Sequence, residues 1–218
     1  MGKRFELIVF DWDGTLMDSA GAIVASIQAA AVDLGLAPPT EARARHVIGL
    51  GLHDALRHVL PELAEDRYRQ MAERYRHHYL AQDQTLKLFD GAESLVRDLA
   101  AAGHLLAVAT GKSRLGLNRA MAASGLGGSF HATRCADECH SKPHPQMLEQ
   151  LMDELGVPPA LTLMIGDTTH DLEMARNAGT SALGVSYGAH PREALATAAP
   201  LRCFDVLADL AAWLRHHG

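Results

Sequence analysis

No stretch of this 218-residue chain stays apolar long enough to cross a bilayer, which takes about twenty residues in a helix. The first apolar run, FELIVF (5–10), is too short for the core of a signal peptide. It also runs into Asp11 where small residues and a cleavage site are needed. A cytoplasmic protein is therefore expected. An excess of positive charge is missing too. The formal net charge of −6 weighs against nucleic acid and against an anionic membrane surface as partners. A small anionic ligand remains compatible, because a local pocket can be positive on an acidic protein. Cysteine is scarce, and the odd count of three (Cys135, Cys139, Cys203) fits a reducing compartment. Cys135, Cys139 and His140 in CADECH lack the second ligand pair that a zinc site needs, so they read as residues near a strand end. The thirteen histidines are scattered, and no His-Glu-x-x-His pattern occurs. There is no internal repeat. With apolar residues at 48%, the composition is that of an ordinary globular protein, not a disordered one.

The second half of the chain alternates regularly. Residues 104–110 (HLLAVAT), 129–135 (SFHATRC), 161–167 (LTLMIGD) and 180–186 (TSALGVS) read as strands. Between them, 114–125, 144–156 and 170–179 read as helices that stop at Gly125, Gly156 and Gly179. Strands alternating with helices of this length imply a parallel sheet covered on both faces, and 5–10 is a further buried strand of that kind. The stretch from Leu16 to Leu88 breaks the rhythm. Residues 20–36, 53–60 and 65–82 read as helices with no strand between them, far more chain than a crossover needs. The expected fold is therefore α/β, a doubly wound parallel sheet with an inserted α-helical domain. The core is expected at 1–15 and 89–218 and the insert at 16–88. Tyr68, Tyr75 and Tyr79 share helical spacing on the last insert helix and read as a packing face.

Chemistry concentrates at the strand ends. Asp11 and Asp13 in FDWDGTLMDS follow the first strand, where alternation can send both to one side and Trp12 to the other. Two close carboxylates repel unless a cation separates them or one is protonated. Helix or turn capping is the competing role. Gly14 permits a tight turn, and Thr15 adds a hydroxyl. Asp167 ends another strand and Asp171 follows four residues later, a pair suited to one hard cation such as Mg2+, with N-capping again the alternative. Lysine is rare: Lys3, Lys87, Lys112 and Lys142 are four among twenty basic residues. Lys142 precedes Pro143 at a helix start, a place suited to an anion. In ATGKS (109–113), Thr110 and the amides after it offer donors to phosphate oxygens, without the spacing of a Walker A loop. Together these are the parts needed to move a phosphoryl group: an attacking carboxylate, a neutralising metal and donors for the equatorial oxygens.

The segments DWDGTLMDS, AVATGKS, SKPHP and IGDTTHD resemble the four ordered motifs of the haloacid dehalogenase superfamily, and the resemblance runs from the first strand to about Gly179. The helical insert resembles the cap of the branch that contains phosphoglycolate phosphatases and β-phosphoglucomutase. The resemblance implies a Rossmann-like core and a Mg2+-dependent phosphatase acting through an aspartyl-phosphate on a small phosphorylated metabolite. It implies that Asp11 is the nucleophile and Asp13 the acid and base. Thr110 and Lys142 would bind the phosphoryl group, and Gly14 and Gly111 would lend backbone N–H groups. Asp11, Asp167 and the backbone carbonyl of Asp13 would hold the metal, and Asp171 would ligate it or hold one of its waters. Trp12 stands where leucine or isoleucine is usual, and a packing role is expected for it.

Within that family, Asp13 and the Asp167/Asp171 pair argue against metal-free dehalogenation. No lysine lies between Leu16 and Leu86 to form a Schiff base. Thr15 after the motif glycine resembles phosphatases, whereas the mutases tend to carry valine, so phosphomutase is the second choice. A phosphoryl-accepting receiver module is the alternative from another class, although receivers usually lack the Asp-x-Asp pair and the long insert. The segment HVIGLGLHDAL (46–56) resembles the cap loop that faces the active site. Arg45, His46 and His53 are accordingly candidates to meet the substrate, with plain surface exposure as the competing reading. The sequence leaves monomer and dimer equally open.

Overall fold

The structure, a computed structural model, describes residues 4–217, apart from the side chain of Gln84. Among these described residues six strands form one parallel sheet in the order β3-β2-β1-β4-β5-β6. They are β1 (Leu7–Phe10), β2 (Leu105–Thr110), β3 (Ala132–Cys135), β4 (Thr162–Gly166), β5 (Ser181–Val185) and β6 (Arg202–Phe204). β1 lies at the centre, between β2 and β4, and all four of its residues are buried. That double-sided burial is why its sequence, LIVF, shows no alternation of apolar and polar residues.

Among the described residues ten α-helices accompany the strands: α1 (Ala20–Asp33), α2 (Glu41–His46), α3 (Leu52–Val59), α4 (Tyr68–Gln82), α5 (Ala92–Ala101), α6 (Arg114–Ser124), α7 (Gln146–Leu155), α8 (Thr169–Asn177), α9 (Arg192–Thr197) and α10 (Leu207–His217). Helices α5 to α10 flank the sheet. Their limits follow local chemistry. The Ser113 hydroxyl caps α6, which ends at left-handed Gly125, and α7 ends at left-handed Gly156. Two apolar clusters cover the two faces of the sheet, one around Ile8, Phe10 and Trp12, the other around Leu7, Val9 and Met164.

Helices α1 to α4 make up the insert and have a third apolar cluster of their own, with Ile27, Leu56 and Met71 at its centre. The chain leaves and re-enters the core over two short paired segments: Met17 bridges both Asp13 and Leu88, and Phe89 N–H donates to Leu16 O at 2.9 Å. None of the helices is long and apolar enough to cross a membrane, among the described residues.

One expected strand starts later, and α2, β6 and α10 are elements not assigned from the sequence. The strand expected at 129–135 begins only at Ala132, because Gly127–Ser129 form a 3-10 turn. Residues 41–46, not assigned a helix from the sequence, form α2, which Thr40 caps through its side chain. Trp12 is fully buried and meets Phe130 edge-on, with ring centroids 6.2 Å apart.

Candidate active site

β1 ends at Phe10, so Asp11 emerges at the carboxyl end of the sheet, where parallel sheets hold ligands. The Asp11 N–H still donates to Ile165 O at 2.9 Å, which fixes its backbone before the chain turns. The turn then folds onto Trp12 O, which accepts from the N–H groups of Leu16 and Met17 at 3.0 and 2.9 Å. Gly14 adopts φ +83°, and a Cβ there would stand 2.1 Å from Asp167 Oδ2. Conformation and close approach both require glycine. The Gly14 N–H, expected to serve a phosphoryl group, donates to Met17 O at 2.8 Å.

Four charged side chains from three parts of the chain, Asp11 among them, meet at the end of β1. Lys142 Nζ donates to Asp11 Oδ1 at 2.7 Å and to Asp171 Oδ1 at 2.6 Å. Asp167 accepts from the Thr15 hydroxyl at 2.9 Å and from the Ala189 N–H at 2.7 Å. Asp171 accepts from the Thr168 N–H at 3.1 Å and the Thr168 hydroxyl at 2.6 Å, and a capping box links the two residues at the start of α8. One Asp171 oxygen thus caps the helix while the other faces Lys142.

One oxygen each from Asp11, Asp167 and Asp171 lie within 4.8 Å of one another, and all three residues are buried. Asp11 Oδ2 has no hydrogen-bond partner among the described residues. Burial pushes the Asp11 carboxyl up to about 7, against the pull of Lys142 and with a further push from Asp171. Burial, then Asp11 and Asp171, likewise hold Asp167 well above the usual carboxylate range. Burial alone would lower the Lys142 ammonium, but Asp11 and Asp171 outweigh it and the net shift is upward. Three converging carboxylates, one with an orphaned oxygen, suit a hard divalent cation that takes oxygen ligands.

Asp13, expected to reach the metal through its backbone carbonyl, keeps its carboxylate outside this trio. It accepts from the Ser19 hydroxyl at 2.6 Å and from Lys112 Nζ at 2.9 and 3.0 Å. Thr110 is buried at the end of β2, and its hydroxyl oxygen accepts from the Lys112 N–H at 3.2 Å. A Cβ on Gly111 would stand 2.5 Å from the carbonyl oxygens of both Gly49 and Leu50. The cap loop therefore lies directly on the core loop.

A cleft of about 490 Å3 opens over these residues between cap and core. Asp11, Asp13, Thr110 and Lys112 lie on its core side, with Ile23, Val47, Leu50, Tyr75 and Tyr79 opposite. Of the three cap residues expected to meet substrate, His53 lines this cleft. Arg45 and His46 line a second cavity of about 430 Å3, beside Gly188 and His190. Arg45 pairs with Glu41 at 2.8 Å, and the His46 ring stacks on His190 with centroids 5.2 Å apart. The end of α2 thus faces the loop after β5.

Sequence reasoning missed the Gly188–Ala189 loop that holds Asp167, and the bridge from Lys112 to the cap. Only the rarity of lysine hinted at the second. The tyrosines do pack, with Tyr75 and Tyr79 stacked at 5.8 Å, but Tyr79 also accepts from Lys112 Nζ at 2.9 Å. CADECH supplies no metal group among the described residues.

A solved structure of a predicted phosphoglycolate phosphatase from Haemophilus somnus 129PT superposes with a TM-score of 0.85 at 26% identity, over 97% of this chain and 99% of that one. "Probable phosphatase IndB" of Dickeya dadantii is 36% identical over 94% of this chain and 91% of its own length. The phosphoglycolate phosphatase of Vibrio vulnificus (strain CMCP6) is 30% identical over 95% of both chains. The model of the haloacid dehalogenase-like hydrolases matches residues 8–185, and the chain belongs to that family.

Proposed function

We propose that the protein is a Mg2+-dependent phosphomonoesterase that works through an aspartyl-phosphate on Asp11. The observation that carries this reading is the setting of Asp11: one oxygen tied to Lys142, the other without a partner among the described residues, at the floor of a cleft. Asp11, Asp167 and Asp171, with the Asp13 carbonyl, would hold the cation. When bound, it would neutralise the clustered carboxylates and the phosphoryl oxygens.

The remaining chemistry belongs to the side chains. A carboxylate oxygen of Asp11 attacks phosphorus, and the bond to the ester oxygen breaks. Asp13 gives its proton to that leaving oxygen. Asp13 then takes a proton from water, whose oxygen attacks the same phosphorus and releases Asp11. Lys142 and the Thr110 hydroxyl would hold the equatorial oxygens as negative charge develops on them. Burial of Asp11 and Lys142 keeps competing water away from these groups.

The organic part of the ester would lie in the cleft against the cap. The Vibrio vulnificus relative is named for phosphoglycolate, so that ester belongs in the test. The cleft volume of about 490 Å3 also admits larger groups, so sugar phosphates, nucleotides and p-nitrophenyl phosphate complete the panel. The protein is expected to release phosphate in the presence of Mg2+ and to stop when EDTA is added. Silence across the whole panel would refute the reading. A stable phosphoprotein without turnover would point instead to a receiver-like module.

A further inference from the structure

Two of the four lysines enter the site, and each takes one of its two leading aspartates. Lys142 pairs with Asp11 at 2.7 Å, and Lys112 spans both oxygens of Asp13 at 2.9 and 3.0 Å. The third contact of the Lys112 ammonium is the hydroxyl of Tyr79, at 2.9 Å, on cap helix α4. An ammonium has three N–H donors, and here three acceptor atoms surround it, two from the core and one from the cap. We propose that Lys112 is a positioning residue that fixes the Asp13 carboxylate when the cap is docked, with Tyr79 as the cap's half of the bridge. The proposal rests on the phosphomonoesterase reading above.

The surroundings favour this role over direct phosphate binding. With its three N–H groups engaged, Lys112 has none left for a phosphoryl oxygen in this arrangement. Its side chain is 9% exposed, so the pair with Asp13 is poorly screened by solvent. Its backbone is anchored in the core: the N–H donates to Thr110, and the carbonyl accepts from Ala136 N–H at 3.1 Å. Tyr79 is anchored in the cap, buried in its apolar cluster and stacked on Tyr75. The neighbouring Gly111 rests against the carbonyls of Gly49 and Leu50, so the root of the lysine lies at the contact between the two layers. Moving the cap away would remove one acceptor from Lys112 and loosen its grip on Asp13. Docking would restore both, and when Asp13 takes up the proton it gives to the leaving oxygen, one of its oxygens would release Lys112 while the other keeps the contact.

The test uses leaving groups of different basicity. p-Nitrophenolate departs with little need of a proton, whereas an alkoxide needs one from Asp13. kcat/KM reports the steps through phosphoryl transfer to Asp11. For K112M, kcat/KM on an alkyl phosphate should fall at least about tenfold further than on p-nitrophenyl phosphate, within the range by which general acids act. Y79F should change it in the same direction and less. Adding K112M to D13N should cost nothing more on the alkyl ester. Equal losses on both esters with a raised KM, or a full further loss in D13N, would make Lys112 a phosphate ligand and overturn the proposal. A thermal-denaturation cycle of Y79F and K112M checks the bridge without turnover: non-additive Tm shifts support it, and additive shifts refute it. Wild-type inactivity on every ester with Mg2+ would refute the phosphomonoesterase reading and with it the role in catalysis, while the thermal cycle would still decide the contact.

Discussion

Lys142 Nζ lies 2.7 Å from Asp11 Oδ1, and the lysine side chain has no exposure to solvent. A buried ion pair of this kind does little for net stability, but losing one partner leaves an uncompensated charge at a cost of about 3–5 kcal/mol. Lys142 also serves Asp171, so its removal strands two carboxylates at once.

K142M should therefore abolish phosphate release and lower Tm markedly, at roughly 2–4 °C per kcal/mol for a chain of this size. D11N should abolish release as well, since an amide is a poor nucleophile. Its thermal cost should be much smaller than that of K142M, because it removes a carboxyl that burial already disfavours in the charged form. Thermal scans beside phosphate assays check both. A K142M protein as stable as wild type would show that the charge cluster is compensated elsewhere.

The direction of the Asp11 shift sets the pH dependence of cation stabilisation. Its folded pKa, about 7, lies above the ordinary value of 3.8, so between the two the folded protein holds a proton that the unfolded chain has released. In the metal-free protein this contribution therefore weakens the fold as pH rises through that window, and the penalty is complete above about 7. Asp167 shifts the same way. A divalent cation requires the deprotonated carboxylates, so the Tm gain from Mg2+ should be small near pH 5 and grow toward pH 8. Calorimetry with Mg2+ and with EDTA at each pH measures it. A gain that is flat with pH would place the cation elsewhere.

Two glycines hold Asp167 in place by having no side chain. A Cβ on Gly188 would stand 2.3 Å from Asp167 Oδ2 and 2.4 Å from Gly14 O, and one on Gly14 would stand 2.1 Å from Asp167 Oδ2. G188A and G14A should each displace Asp167, reduce kcat by a factor of ten or more, and abolish the Mg2+-dependent rise in Tm. Gly188 keeps an unstrained φ, so the G188A effect should be the purer displacement, whereas G14A adds left-handed strain. A G188A enzyme with normal metal response would show that the loop yields.

The legible part of the site was the part at strand ends. Asp11, Thr110 and Asp167 each terminate or follow a buried apolar run, and a charge or hydroxyl there is visible as a break in pattern. Five strands of the parallel sheet were legible for the same reason, whereas β6, three residues long and exposed at Arg202, was not. The cap helices were legible too, except short α2, whose six residues carry less than two turns of periodicity. Contacts that need a second segment were invisible. Nothing in the run Gly188–Ala189 says that its amide meets a carboxylate 22 residues earlier. Arg45 and His46 sit in the expected stretch of chain, but the exit direction of α2 carries them to the seam beside His190, and only His53 lines the cleft. Lys112 belonged to a quoted motif, yet its partner Tyr79 is 33 residues away on a helix that looked purely structural.

Trp12 provides the last prediction, because it separates packing from chemistry between the two aspartates. Its ring is fully buried among apolar groups and edge-on to Phe130, while its Nε1 finds no acceptor among the described residues. Replacing a buried aromatic ring by alanine costs about 3–5 kcal/mol, from lost contacts and the cavity left behind. Leucine fills part of that space and also removes an unsatisfied N–H whose burial itself costs about 1–3 kcal/mol. The two effects oppose each other, so W12L should lose no more than about 2 kcal/mol. Asp11 and Asp13 are held by Lys142, Lys112 and Ser19, none of which depends on the indole, so kcat and KM should stay within about twofold of wild type. Thermal denaturation and phosphate release on the same preparation decide it. A large fall in kcat with little change in Tm would mean that the ring sets the angle between the two carboxylates, not merely the floor beneath them.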